Sequence, residues 1–343
     1  MPLRAALLRG GESRFELGEI QAPEPGPGGV RVRIGGAGAC HSDLHILHDP
    51  ARRPAPGDAP WILGHENAGW VDALGPGASG FEIGQPVAVF GGWGCGRCPV
   101  CLAGEEQLCD PGRWAGIGVP GGYTEQLLVP ATRHLVPIDG LDPAEFAPLT
   151  DAALTPYRAV RKAMPRLRPG STAVAIGVGG LGQFGVQILK TLTPARVVAV
   201  EQAEAKRKLA DELGADLVLD PADGDPAAEI RRFAGPEGPA AVLDFVGVDA
   251  TVALTLGTVG RKGLAVIVGL GRGSAPFSFA TNGIEATVTT SNWGSRTELA
   301  EVVALARAGT ISTRVERHDL AEINDVFDRL EAGQIEGRAV LVP

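Results

Sequence analysis

The sequence predicts an α/β protein in two parts, an irregular barrel-like β lobe and a doubly wound parallel sheet. Three observations carry this. The chain has 343 residues, enough for about two domains at roughly 150 residues each. Its first 150 residues hold short β-like runs between Gly/Pro turns. From about residue 151, apolar strands alternate with helical patterns, as in a parallel sheet covered on both faces.

In chain order, the β-like runs fall at 30–34 (VRVRI), 69–74 (GWVDAL), 86–90 (PVAVF) and 123–129 (YTEQLLV), with APEPGPGG at 22–29 the clearest turn. Strands are then expected at 172–176, 197–201, 217–219, 241–246, 264–268 and 284–290, with helices near 180–192 and 205–213. Helical stretches at 298–308 and 321–331 lead to a final strand at 338–342.

Composition narrows the function. The chain is 44% hydrophobic and 21% charged, ordinary globular usage, with only 5% aromatics, so its core must be mainly aliphatic. A net charge of −9 argues against nucleic-acid or anionic-membrane partners, which would repel it. No apolar run approaches the roughly 18–20 residues of a membrane helix. The start, MPLRAALLRG, has no secretory pattern, and four of the five cysteines cluster at 95, 98, 101 and 109. Such clustering reads as metal binding in a cytoplasmic protein rather than as a disulfide framework.

Residues 171–182 read STAVAIGVGGLG, a buried strand running into G-x-G-x-x-G at Gly177, Gly179 and Gly182. The first glycine permits the tight turn, the second lets the backbone approach a pyrophosphate, and the third lets the helix pack on the strand. Amides at the helix N-terminus would meet the phosphates. Glu201 ends the next strand, where a carboxylate accepts from ribose hydroxyls and repels a 2′-phosphate. This predicts NAD over NADP, although Lys206 and Arg207 stand close by.

Cys95, Cys98, Cys101 and Cys109 place four thiolates on one loop, suited to a closed tetrahedral zinc. An iron–sulfur run would also begin C-x2-C-x2-C, but it continues x3-C-P; here the last gap is seven and Asp110 precedes Pro111. Zinc is the expected metal.

Residues 38–48 read GACHSDLHILH and 63–67 read LGHEN. Alone, Cys40 reads as a buried small hydrophobe, His65 as a core histidine, Ser42 as a turn hydroxyl and His45 as a surface residue. Together with the cysteine loop and the nucleotide fingerprint, these motifs resemble the zinc-dependent medium-chain alcohol dehydrogenases over essentially the whole chain. The resemblance looks closest to a bacterial branch acting on secondary and aryl-substituted carbonyls, with PLTDAALTPYRAV at 148–160 and NWGSRTEL at 292–299 as secondary marks.

That resemblance implies a GroES-like β-barrel catalytic domain at 1–152 and 297–343, and a Rossmann NAD-binding domain at 153–296. It implies two Zn²⁺ per chain, one catalytic at Cys40, His65 and Asp151 and one structural in the cysteine loop. Asp151 stands where many relatives have a second cysteine; its other reading is a helix N-cap. Glu66 is expected near the metal, and Asp43 behind His65, fixing its tautomer. The implied chemistry is hydride transfer between NAD(H) and a primary or secondary alcohol or its carbonyl, with zinc as Lewis acid. A proton relay would run from Ser42 through the nicotinamide ribose to His45.

By the same resemblance, His41 and Arg338 would approach the pyrophosphate and Gly180 would join the phosphate turn. Thr155 and Leu181 would pack on the nicotinamide, Val268 would meet its carboxamide, Lys206 the ribose and Val246 the adenine. His48, His134 and His318 are assigned to surface or loops. Trp61, Trp93 and Trp293 either shape a hydrophobic, aryl-accepting pocket or act as structural anchors. A polyol dehydrogenase of the same superfamily and a non-catalytic dinucleotide-binding scaffold are the alternatives. The expected partners are a small alcohol or carbonyl and further copies of the chain, in a homodimer or homotetramer; the edge strand EATVTT at 285–290 needs covering, and the resemblance implies that it pairs with its symmetry mate.

Overall fold

A computed structural model describes residues 2–343, and the chain divides into two compact units. The first comprises Met1–Asp151, Gly294–Arg307 and Thr313–Pro343; the second comprises Ala152–Trp293 and Ala308–Ser312. Residues 308–312, expected with the first part, thus belong with the second.

The first unit is organised by a seven-stranded sheet. Its path runs Leu135–Pro137, Pro86–Val89, Glu66–Leu74, Val30–Gly38, Arg338–Val342 and Val315–Asp319, with Gln126–Val129 also paired to Val30–Gly38. Strand Val30–Gly38 has alternating apolar positions, then a run of small residues that lets neighbouring backbones approach closely. Two register shifts in its pairing with Glu66–Leu74 bend the sheet, as closure of a small barrel requires. An aliphatic core including Leu8, Val32, Leu127 and Leu341 fills it, with Phe15, Tyr123 and Phe327 in mutual ring contact. The hairpin of Pro2–Leu8 with Phe15–Gln21 is absent from the sequence expectations; its two strands pair over seven residues.

The second unit has a six-stranded, all-parallel sheet. Its order is Leu217–Leu219, Arg196–Val200, Thr172–Ile176, Ala241–Asp244, Leu264–Ile267, Thr287–Thr290, the doubly wound order whose first strand lies centrally and carries the nucleotide turn at its C-terminal end. Strand Thr172–Ile176 is buried throughout, which explains its unbroken apolar run. The strand expected at 241–246 stops at Asp244, because the Asp244 carboxylate accepts from Val246 N and Gly247 N and turns the chain. Likewise the strand expected from 284 begins at Thr287, since Glu285 adopts a positive φ of 57°. Among the described residues, no helix is long and apolar enough to cross a membrane.

Candidate metal centres and nucleotide site

Sheet register builds the first centre. Gly38 pairs with Glu66, so the residue two beyond one strand and the residue just before the other, Cys40 and His65, are brought side by side. A Cβ at Gly38 would fall 1.9 Å from Glu66 Oε2, so a larger residue there would displace the buried Glu66 side chain. Asp151 enters from the end of the 3-10 turn Ala147–Thr150. Its Oδ2 lies 3.5 Å from His65 Nε2 and 4.0 Å from Cys40 Sγ. Ligand atoms of Cys40, His65, Glu66 and Asp151 all fall within 4.8 Å of one another, and all four residues are buried. The helix that follows Asp151 has Ala153 as its N-cap residue.

The electrostatics fit a cation. Burial disfavours a charged His65 ring, yet Asp43, Asp151 and Cys40 outweigh burial and hold its pKa well above the ordinary value. A thiolate and a carboxylate around an imidazole make a donor set that neutralises Zn²⁺ and leaves a fourth position open. Glu66 is fully buried and burial pushes its carboxyl up to about 7, against the opposing pull of Arg338. Arg338, expected on the cofactor phosphates, is itself buried; its Nη2 donates to both Glu66 oxygens and to Ala39 O.

Asp43 stands behind the histidine, with Oδ1 3.4 Å from His65 Nδ1 and Oδ2 accepting from Cys40 N at 3.3 Å. Sequence reasoning missed the next group. Tyr123, fully buried, places its hydroxyl 2.8 Å from Asp43 Oδ2 and 3.0 Å from Gly38 O. A buried tyrosine needs a hydrogen-bond partner, and that is the one signal that could have drawn attention to it.

Helix His41–His48 buries Asp43, Leu44, Ile46 and Leu47 and leaves His41 and His45 exposed one turn apart. Ser42 is half-buried, its Oγ 3.7 Å from Cys40 Sγ. Trp93 is a core residue whose indole N–H donates to Phe90 O. His134 is buried too, stacked on Phe90, in contrast to the loop position expected for it. His48 is exposed beside Glu331, and His318 lies near Glu316 and Arg329.

The second centre is the cysteine loop. Sγ–Sγ distances are 3.4 Å (98–101), 3.8 Å (98–109) and 3.9 Å (95–101). These bracket the edge of about 3.8 Å expected for a tetrahedron with Zn–S bonds of about 2.3 Å. Backbone N–H groups of Arg97 and Cys98 draw the Cys95 thiol down to about 6, whereas burial pushes Cys101 up to about 12. A divalent cation among four sulfurs removes that conflict by favouring every thiolate at once. Glu106 ties the loop down, accepting from Gly94 N at 3.3 Å and from Arg133 Nε at 3.1 Å.

In the second unit, strand Thr172–Ile176 meets helix Gly182–Leu192 through the glycine turn. Gly177 adopts φ 82°, and a Cβ at Gly182 would lie 1.7 Å from Gly177 O. Above Gly179 nothing lies within 4 Å of a built Cβ, an open cradle where a phosphate could meet the backbone. Gly180 and Leu181 are half-buried at the same turn. Val246 is partly exposed and its Cγ2 occupies the space a Gly177 Cβ would need. Glu201 is nearly buried, with Oε2 accepting from Val178 N at 2.8 Å and Oε1 from Ala203 N at 2.9 Å. It therefore fixes the turn while keeping lone pairs for a ribose. Lys206 lies on the next helix, Glu204–Glu212. Val268 is buried, its N–H on Asp244 O, and Thr155 is buried on helix Leu154–Ala163.

Known proteins match this arrangement. Residues 26–140 match the alcohol dehydrogenase GroES-like domain and residues 180–308 the zinc-binding dehydrogenase domain. An NAD-dependent alcohol dehydrogenase of Sulfurisphaera tokodaii is 35% identical over 96% of each chain. The solved alcohol dehydrogenase of Aeropyrum pernix superposes with a TM-score of 0.90 at 39% identity, covering 99% of this chain and 100% of its own. The acetophenone reductase of Geotrichum candidum, solved with NAD, gives 0.86 at 34% identity over 100% and 97%. With fold, thiolate centre and whole-length similarity in agreement, the chain belongs to the zinc-type medium-chain alcohol dehydrogenases.

Proposed function

We propose that the chain is an NAD-linked zinc enzyme interconverting primary or secondary alcohols, hydrophobic or aryl-substituted, and their carbonyls. The observation that carries the reading is the buried convergence of Cys40, His65 and Asp151 with Glu66 alongside. When bound there, zinc would act as Lewis acid on the substrate oxygen while NAD(H) accepts or supplies hydride. Cys40, His65 and Asp151 would hold the metal, and Asp43 would fix the His65 ring so that Nε2 faces it. Arg338 keeps Glu66 paired beside the centre. Ser42, its Oγ 3.7 Å from Cys40 Sγ, would take the hydroxyl proton and pass it through the nicotinamide ribose to His45, exposed on the same helix, which would exchange it with solvent.

On the cofactor side, Gly177, Gly179, Gly180 and Gly182 would cradle the pyrophosphate, Glu201 and Lys206 the adenosine ribose, and Val246 the adenine. Thr155, Leu181 and Val268 would border the nicotinamide. The names of the Sulfurisphaera and Geotrichum relatives support NAD and an aryl carbonyl. A homo-oligomer is proposed through Thr287–Thr290, an exposed strand paired on one side only, to Leu264–Ile267. A cytoplasmic location is proposed from the use of cysteine as thiol.

The test is a panel of aryl ketones, aliphatic alcohols and polyols with NAD(H) and NADP(H), on protein whose zinc has been counted. Aryl ketone reduction with NADH by protein holding two zincs is the expected result. Turnover confined to polyols removes the aryl reading, and a zinc-replete protein that turns over nothing removes the enzyme reading.

A further inference from the structure

We propose that Asp220 is a cofactor-specificity residue, which holds the Arg207 guanidinium on the end of the sheet and so denies it to a 2′-phosphate. The inference rests on the reading of the glycine turn as an NAD site.

The geometry begins with two neighbouring strands. Arg196–Val200 and Leu217–Leu219 run parallel with Val200 opposite Leu219, and Glu201 N donates to Leu219 O at 3.0 Å. The next residue of each chain segment is acidic, so Glu201 and Asp220 leave the same edge of the sheet side by side. Arg207, on helix Glu204–Glu212, reaches back to both. Its Nη1 lies 2.7 Å from Asp220 Oδ2 and 3.2 Å from Glu201 O, and also donates to Gln202 O. The other Asp220 oxygen accepts from Ala222 N at 2.9 Å, so the carboxylate is itself fixed. Both partners are largely withdrawn from water, with side chains 23% and 16% exposed, which strengthens their attraction over that of a surface pair.

Arginine beside a ribose is the side chain that accommodates a 2′-phosphate, through paired N–H donors on phosphate oxygens. Here the charge of that arginine is neutralised and its tip is turned onto two carbonyls. Discrimination against NADP is then the work of two acids. Glu201 repels the extra phosphate directly, and Asp220 withholds the cation that would offset the repulsion. The proximity of Lys206 and Arg207 in sequence therefore overstates the positive charge offered at this position.

The test uses zinc-loaded Asp220→Asn, Arg207→Ala and the double variant, with Kd for NADPH and NADH read from ligand fluorescence and thermal melts run alongside. Asparagine keeps an acceptor for Ala222 N while removing the charge. Asp220→Ser offers a second route to the same readout should the first variant melt early. Asp220→Asn is expected to tighten NADPH about tenfold, the worth of one charge-assisted hydrogen bond, with NADH moving less than about twofold. Arg207→Ala alone should not tighten NADPH, since it leaves the Asp220 carboxylate uncompensated, and in the double variant the gain should vanish. An Asp220→Asn protein with unaltered NADPH affinity, or a gain that survives loss of Arg207, overturns the proposal. Should the unmodified protein bind NADPH as tightly as NADH, the NAD reading of Glu201 falls and this inference with it. A discriminating parent with an indifferent Asp220 variant sinks this inference alone.

Discussion

The two metal centres of the first unit make an instructive pair. Each brings four candidate ligand atoms within 4.8 Å of one another. One takes all its ligands from residues 95–109, and its Cys95 is exposed. The other joins Cys40 and Asp151, 111 residues apart, with His65 and Glu66, and every member is buried. A contiguous loop can be organised by its own ion, so removing that ion should loosen the loop locally. The dispersed centre depends on the sheet register at Gly38 and Glu66 and on the turn before Asp151. The fold creates it, and the fold should outlast its metal.

The sharpest way to break this contrast is Cys40→Ser. Activity should fall by about 10³-fold or more, since the Lewis acid loses its thiolate anchor. Elemental analysis should find one zinc per chain instead of two, with the melting temperature near that of the parent. Retention of both zincs together with activity would remove Cys40 from the ligand set. The mirror experiment is Cys98→Ser, which should empty the loop and cost about 3 kcal/mol, a drop in Tm on the order of 6–12 °C. Proteolytic nicking within 95–109 should accompany it. A variant that melts with the parent would show that the loop is held by Glu106 and its neighbours rather than by metal.

The same contrast explains what could be read in advance. Four cysteines at close spacing announce themselves because ligand geometry and sequence spacing coincide over one loop. Cys40, His65 and Asp151 have no such local pattern, and only family resemblance joined them. Glu66 and Arg338 lie 272 residues apart, and nothing in either segment signals their pairing. In the fold, Thr172–Ile176 and Leu217–Leu219 were legible as continuous apolar runs. Helix Leu154–Ala163 was not, because Pro156 reads as a breaker although it sits in the first turn, where no intrahelical N–H bond is lost. Helix Pro226–Ala234 carried a usable start signal in Asp225, whose carboxylate caps Ala227 N and Ala228 N, followed by Pro226.

A smaller effect sharpens the comparison from behind the first centre. Tyr123→Phe deletes only the hydroxyl that reaches Asp43. Because outer partners orient a ligating histidine, zinc affinity at that centre should weaken by about tenfold in chelator competition. The cysteine loop, which Tyr123 does not support through Asp43, should keep its zinc. Equal weakening at both centres would mean that the substitution loosens the lobe as a whole.

The smallest effect concerns pH, and it belongs to the second centre's surroundings. His134 is 1% exposed, stacked on Phe90 and close to Trp93; its Nδ1 lies 3.5 Å from Glu106 Oε2, too far for a well-formed hydrogen bond. Burial first, then Arg133 and Arg296, push its pKa down to about 3. An unfolded chain takes up this proton near pH 6.5, the folded chain only near 3, so between those values the unfolded state binds more protons. The contribution is fully present above pH 6.5 and is lost as the pH falls, with a slope of up to about 1.4 kcal/mol per unit. His134→Phe, which keeps a ring beside Phe90, should flatten the acid limb of urea stability measured from pH 6.5 to 5 at matched zinc content. Were the two proteins to lose stability in parallel over that range, the acid sensitivity would belong to the thiolates of the loop and not to the buried ring.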